Sequence, residues 1–256
     1  MRTIAIIQAR MGSSRLPGKV LKPILGKPML WHIVERVRAT PSISEVIVAT
    51  PDSPDNEILR RFCTENEIAC FAGSELDVLD RFYRAAQVMK GDPVLRITGD
   101  CPLADPQLIE RIIQMQQAGS YDHVGVAAGA GAQRINRGRF PDGMDAECMA
   151  FSALERAWRE SIDPRDREHV TRYIWNNKQL FRCDNVAADR TYPSLRLTVD
   201  HPEDFELVTR IYESLYDERR HFLLEDVMRF LDNNPGLLEL NRKRAETEVY
   251  RNVLED

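Results

Sequence analysis

No apolar run in the 256-residue chain approaches the roughly 18 residues of a membrane span, so no membrane role is expected. Met1-Arg2-Thr3 leads straight into Ile4-Ala5-Ile6-Ile7, far too short a core for a secretory signal, and the expected location is the cytoplasm. A basic surplus is missing as well. Lys+Arg 35 against Asp+Glu 40 leaves a formal net charge of −5, whereas binding to a phosphate backbone shows as a clear excess of cations. Nucleic acid is therefore not an expected partner. The five cysteines (Cys63, Cys70, Cys101, Cys148 and Cys183) are odd in number and scattered, with no C-x-x-C among them. Neither a disulfide framework nor a zinc knuckle is suggested, and small buried thiols suit them better. Internal repeats and low-complexity tracts are absent. What remains is ordinary globular material, 43% hydrophobic and 29% charged, which argues against disorder. Within this acidic chain, Arg10, Arg15 and Lys19 crowd into one short segment.

The first half alternates strand and helix patterns. Ile4–Gln8, Val46–Thr50, Ile68–Phe71 and Val94–Thr98 read as short buried strands. Between them lie helical patterns over about 28–39, 55–67 and, after the capping-box spacing Ser74-x-x-Asp77, through Met89, with a long one over 105–118. Strands separated by helices imply right-handed crossovers and a mostly parallel sheet covered on both faces, a doubly wound α/β fold. From Val124 to Gly143 the pattern breaks down into a glycine-rich stretch with Arg134, Asn136, Arg137 and Arg139 and a Pro-Asp-Gly turn. Long loops of this kind are functional or disordered rather than neutral connectors. Met144–Met149 returns to strand, helices follow near 152–160 and 165–177, and Leu195–Val199 reads as a further strand ending at Asp200. His201-Pro202 opens a helix to about Tyr216, capped by Asp200 or His201, and a last helix spans about 224–231.

The most informative stretch is Gln8-Ala9-Arg10-Met11-Gly12-Ser13-Ser14-Arg15-Leu16-Pro17-Gly18-Lys19. It follows a buried strand and so belongs at the carboxyl edge of the sheet, where open α/β folds bind ligands. Two glycines allow close backbone approach, two serines add donors and three cations localise positive charge, which together suit a polyphosphate. A Walker A loop does not fit: five residues separate Gly12 from Gly18, and Val20 replaces the metal-binding hydroxyl. Asp100 and Asp200 each end a strand-like run, after Thr98-Gly99 and Thr198-Val199. Each could cap the segment that follows it; as a pair flanking a phosphate loop they suit Mg²⁺.

The loop resembles the opening signature of sugar cytidylyltransferases, the group that makes CMP-sialic acid and CMP-3-deoxy-manno-octulosonate. The resemblance continues through Gly73-Ser74-Glu75-Leu76-Asp77-Val78-Leu79-Asp80-Arg81, Thr98-Gly99-Asp100-Cys101-Pro102, Phe140-Pro141-Asp142-Gly143-Met144-Asp145-Ala146-Glu147, Arg167-Glu168-His169-Val170-Thr171 and Val199-Asp200-His201-Pro202-Glu203-Asp204. It spans roughly residues 3–210 in order, closest to the branch typified by spore coat polysaccharide biosynthesis protein F. In the sialic acid enzymes the loop commonly has Pro where Gln8 stands and Lys where Ser14 stands, a departure that bears on the sugar rather than on the nucleotide site.

The resemblance implies a Rossmann-like nucleotidyltransferase fold as one domain over 1–256, with a 125–180 insertion forming a dimer interface and a wall of the sugar site. It implies a CTP-dependent transfer to a sugar, expected to be a 3-deoxy-ulosonic or related acidic one, giving CMP-sugar and pyrophosphate for surface polysaccharide. Arg10, Arg15, Lys19 and Asp100 would be catalytic. Gln8, Ala9, Gly12, Ser13, Ser14, Gly73, Ser74, Asp77, Arg81, Thr98 and Gly99 would join the loop cations in nucleotide binding, and Asp100 and Asp200 would hold one or two Mg²⁺. Arg134 and Arg137 could receive a sugar carboxylate or a partner subunit, or be a solvated loop. Asp145 and Glu147 alternate along a strand and so share a face that suits sugar hydroxyls. Glu168 and His169 either contact the sugar or form a helix-end charge and a half-buried imidazole. A homodimer through Phe140–Asn177 is expected. The alternatives are a nucleotidyltransferase using UTP or GTP and a glycosyltransferase consuming a nucleotide-sugar, although no D-x-D ends a strand here.

Overall fold

The structure, a computed structural model, describes residues 2–126, 138–192 and 195–247. Strand β1 (Thr3–Gln8) sends Ala5 and Ile7 to one face and Ile4 and Ile6 to the other, and all four are fully buried. Only a sheet covered on both faces asks for that pattern. A 3₁₀ turn (Lys19–Leu21) and a small hairpin of β2 (Pro23–Ile24) and β3 (Lys27–Pro28) lead into α1 (Met29–Arg38). Next come β4 (Ile43–Pro51), α2 (Glu57–Glu65), β5 (Ala69–Gly73), α3 (Val78–Met89), β6 (Val94–Thr98) and α4 (Pro106–Gly119). The second half contributes β7 (His123–Val126), β8 (Ala146–Met149), α5 (Phe151–Glu160), α6 (Pro164–His169), α7 (Arg172–Asn176) and β9 (Cys183–Val186), then α8 (Pro202–Leu215) and α9 (Leu224–Asn233).

Seven strands form one sheet in the order β5-β4-β1-β6-β8-β7-β9. All neighbours are parallel except β8, which runs antiparallel to both β6 and β7. Apolar side chains of α1, α2, α4, α8 and α9 cover one face, and those of α3, α5 and α7 the other. The expected doubly wound α/β architecture is therefore present. Among the described residues no helix is long and apolar enough to cross a membrane. Cys63, Cys101 and Cys148 are buried, Cys70 and Cys183 half-buried, and all five are free thiols.

Four local expectations need correction. Leu195–Val199 is not a strand of the sheet. Since β1 and β8 already occupy both edges of β6, this run lies beyond the carboxyl ends of the strands, where it forms the isolated bridge Asp142–Arg196. The helical pattern over 165–177 is two short helices, broken where Val170 takes φ +58°, a value that strains a β-branched residue. Ser74 does not cap α3: its hydroxyl accepts from Asp77 N (3.0 Å), and Asp77 is the cap, accepting from Asp80 N (2.8 Å). Finally, β7 and β9 arise where no strand pattern was legible, because their edge position and polar residues (His123, Asp184 and Asn185) hide the alternation.

Candidate active site

Strands β1 and β6 are adjacent, but the chain leaves β1 towards β4 on one side while β6 opens the other half of the sheet. Connections that diverge this way leave a crevice at the carboxyl ends of the two strands. Both ends converge closely there. Gly99 N donates to Gln8 O (2.8 Å), and a Cβ on Gly99 would also lie 2.8 Å from that oxygen, so only glycine fits. The basic loop starts from this point. Met11 N donates to the buried Asn56 side chain (2.9 Å), Gly18 N returns to Met11 O (3.2 Å), and Leu16 N donates to Ser13 Oγ (3.2 Å). Leu16 is buried and anchors the loop, while Arg10, Gly12, Ser14 and Arg15 stay exposed to solvent. Gly18 has φ +68°, the left-handed turn that directs Lys19 inward.

Lys19 crosses the crevice. Its Nζ donates to Asp200 Oδ1 (2.9 Å), Val199 O (2.8 Å) and Asp100 Oδ2 (3.3 Å), bringing the three predicted residues together. Arg15 joins them at 2.8 Å from Asp200 Oδ1. The segment that carries Asp200 is held by backbone bonds on both sides. Val199 N donates to Asp100 O (2.8 Å) and Leu197 N to Asp142 O (2.7 Å), while Asp142 N donates to Leu195 O (3.2 Å). Burial acts to raise the Asp200 carboxyl, but Lys19, Arg15 and Arg196 outweigh it and hold it below the usual carboxylate range. Among the described residues no group of three or more His, Cys, Asp or Glu side chains gathers as a ready metal cage. A cation here would rest on Asp100 and Asp200.

Sequence reasoning missed Arg196. With its side chain 2% exposed, it donates Nη2 to Asp200 Oδ2 (2.6 Å), Nη1 to Asp142 Oδ2 (2.8 Å) and Nε to Asp204 (3.2 Å). An arginine inside the apolar run Leu195-Arg196-Leu197 was the available signal. Asp142, which read only as a turn residue, is pushed up to about 7 by burial and by the Asp145 charge. Asp145 itself rises to about 6 through burial, against the help of Gly143 N and with Asp100 and Glu147 facing it. Glu147 behaves differently. Burial would raise it, yet Arg96 (2.5 Å) and His123 Nε2 (3.0 Å) hold it at about 2. Asp145 and Glu147 lie close enough for their charges to interact, but Glu147 is already committed to Arg96 and His123.

On the other side of β1, Arg81 is 1% exposed, and its guanidinium donates to Ser74 O. Burial and the nearby Arg10 lower it to about 10. A Cβ on Gly73 would press on Phe71 (2.9 Å) and Arg81 (3.2 Å), so the Gly73–Ser74 backbone lies directly against this arginine. Asp77 is taken up by the fold, because Arg167 grips both its oxygens at 2.5–3.0 Å and ties α3 to α6. Four buried polar atoms on the strands and helix around this edge have no hydrogen-bond partner among the described residues: Gln8 Oε1, Thr50 Oγ1, Arg81 Nε and Arg96 Nε. Such orphans are rare unless a ligand or water satisfies them. Thr98 sits beside Gln8 in register. Glu168 and His169 lie exposed at the end of α6. Arg134 and Arg137 lie outside the described residues.

The model of a family described as cytidylyltransferase matches residues 4–235. An uncharacterized protein of Methanocaldococcus jannaschii is 32% identical over 262 residues, covering 100% of each chain. Spore coat polysaccharide biosynthesis protein SpsF of Bacillus subtilis is 33% identical over 239 residues, 90% of this chain and 94% of its own. Among solved structures, a cytidylyltransferase from Leptospira borgpetersenii superposes with a TM-score of 0.84 at 27% identity, covering 93% of this chain and 97% of that one. The fold is shared with a CMP-2-keto-3-deoxy-manno-octonic acid synthetase complexed with CTP, at TM-score 0.62 and 22% identity over 83% of this chain and 99% of that one. A match that begins in β1 and runs past α9 takes in the basic loop, both aspartates and every strand between them: the chain belongs to the cytidylyltransferase family.

Proposed function

We propose that the chain transfers a cytidylyl group from CTP to a sugar hydroxyl, releasing pyrophosphate, and so supplies a CMP-sugar for surface polysaccharide. The observation that carries this reading is the convergence of Lys19 with Asp100 and Asp200 at the divergence of β1 and β6, next to an exposed loop holding Arg10 and Arg15. The triphosphate would lie on the loop, with backbone N–H groups near Gly12–Ser14 and the cations of Arg10, Arg15 and Lys19 as partners. The nucleoside would lie towards Gly73, Ser74 and Arg81, where a buried Nε lacks a partner. Relatives over about half the chain include a 3-deoxy-manno-octulosonate cytidylyltransferase of Hydrogenovibrio crunogenus, 38% identical over 125 residues, 48% of this chain and 50% of its own. They support an ulosonic acid as one acceptor to test. The acceptor would enter along the Asp145 wall.

Asp100 and Asp200 fit Mg²⁺: both carboxylates already share one cation, Asp100 is 31% exposed, and this ion needs only one or two carboxylates beside phosphate oxygens and water. When bound, the ion supplies charge neutralisation on the phosphates. The protein's own part is positional. Lys19 and Arg15 meet charge building on the phosphates, Gly99 lets the end of β6 close onto β1, and the fixed crevice aligns hydroxyl and α-phosphate in line. Pyrophosphate release measured across four NTPs and a panel of ulosonic and neutral sugars tests the proposal. Turnover is expected with CTP; turnover with GTP or UTP alone would sink the cytidylyl assignment.

A further inference from the structure

Asp200 has two oxygens with different kinds of partner. Oδ2 is held by Arg196, whose side chain is 2% exposed and which also carries Asp142 and Asp204. Arg196 cannot leave without stranding buried carboxylates, which strongly destabilises a folded chain. Oδ1 is held by Lys19 and Arg15, both from the phosphate loop, and the Arg15 side chain is 48% exposed. Lys19 Nζ lies 2.9 Å from Asp200 and 3.3 Å from Asp100, so a divalent ion approaching the pair meets an ammonium already in place. Like charges at that separation repel strongly in a partly buried crevice.

Resting on the nucleotidyltransferase reading of this site, we propose a division of labour. Arg196 is a positioning residue that fixes Asp200 through Oδ2. Lys19 is an exchangeable counter-ion that covers Asp100 and Asp200 until a triphosphate draws it onto phosphate. The exchange balances charge: the loop cations move to the nucleotide, and the divalent ion takes the carboxylates they leave. Nucleotide and metal therefore enter together, and by linkage each raises the other's affinity by the same factor.

Mn²⁺ binding followed by electron paramagnetic resonance, with and without CTP, tests both halves without needing the acceptor. In the unaltered protein, CTP should tighten Mn²⁺ binding by about tenfold or more. Lys19→Met should tighten nucleotide-free Mn²⁺ binding about tenfold, from relief of repulsion, and lose most of the coupling to CTP. Arg15→Gln should move nucleotide-free binding the same way by less. Lys19→Met combined with Asp200→Asn should lose the gain. Arg196→Lys keeps the charge but not the three-way grip, and should weaken Mn²⁺ binding in the presence of CTP by about tenfold. A purely electrostatic Arg196 would leave that variant unchanged. Nucleotide-free Mn²⁺ binding no tighter in Lys19→Met than in the unaltered protein would overturn the exchange. Unaltered Mn²⁺ affinity in Arg196→Lys would overturn the positioning role. Absence of any CTP binding would instead overturn the nucleotide assignment, and the nucleotide-free comparison would still decide the role of Lys19.

Discussion

Single residues set the electrostatic character of the crevice. Lys19 and Asp100 lie 3.3 Å apart, one on the loop after β1 and the other just past β6, and their backbones are fixed separately, Lys19 N on Leu16 O and Asp100 O by Val199 N. Replacing either by Ala should leave the circular dichroism spectrum intact and lower turnover by on the order of 10²-fold or more, as removal of a single preorganised charge partner does. Undiminished turnover would contradict their roles. Asp145 invites a pH experiment. Its carboxyl sits at about 6 in the folded chain against an ordinary 3.8, chiefly through burial and then the charges of Asp100 and Glu147. The folded state therefore holds this proton more tightly than the unfolded state, and Asp145 costs the fold progressively more as pH climbs from about 4 to about 6. Asp145→Asn should raise the melting temperature at pH 8, by the equivalent of on the order of 2 kcal/mol, with the gain gone by pH 4. Asn can still accept from Gly143 N. An equal effect at both pH values would rule out the charge as the cause. These two residues also show what a sequence can and cannot disclose. Lys19 and Asp100 stand in motifs whose spacing announces them, whereas the acidity of Asp145 depends on neighbours brought from β6 and the Gly143 turn.

At the scale of elements, the site depends on a segment that is not an element at all. Residues 195–200 hold Asp200 in place by hydrogen bonds to Asp142 on one side and Asp100 on the other. The Pro141–Gly143 turn that supports them requires glycine: Gly143 has φ +98°, and a Cβ there would fall 2.3 Å from Thr198 N. Gly143→Ala should destabilise the protein by about 2 kcal/mol or more, through left-handed strain plus a backbone clash. Urea unfolding would show it as a lower midpoint at unchanged m-value. The same variant should weaken CTP binding in the presence of Mn²⁺, since Asp200 moves with the turn; unaltered binding would show that the turn is structural only. A second tie joins α3 to α6 through Asp77 and Arg167. A double-mutant cycle of Asp77→Ala and Arg167→Ala should give a coupling of about 1–3 kcal/mol, because this bidentate pair is partly buried. Additive effects would mean that the helices are held elsewhere. The alternation of β1, β4 and β6 with helices was legible because buried parallel strands read as plain apolar runs, and the half-buried edge strand β5 keeps a short apolar run of its own. The run at 195–199 misled for the same reason: it is apolar and β-branched because it is buried, not because it is paired.

Across the whole molecule, the net charge of −5 and the basic loop describe one arrangement, with acidic groups facing a few cations across a crevice. Strands β8, β7 and β9 continue the sheet beyond β6, and Ile162, just after α5, is 93% exposed. The proposed homodimer through Phe140–Asn177 should appear in light scattering at micromolar concentration as twice the 29.4 kDa chain mass. Monomer alone would end that proposal, and a dimer undisturbed by Ile162→Asp would move the interface elsewhere. The sequence by itself determined the alternation of strands and helices in the parallel half, the phosphate loop and the two aspartates, because local periodicity and motif spacing are properties of neighbours along the chain. Only the tertiary structure decided that β8 enters antiparallel beside β6 and that the Asp200 segment is displaced past the strand ends. It alone revealed Arg196 as the cation that joins Asp142, Asp200 and Asp204. Pairing between residues far apart in the chain leaves no local periodicity, and a carboxylate's charge state depends on its burial and its distant neighbours. Which oxygen of Asp200 is fixed and which is free to exchange is therefore a property of the fold.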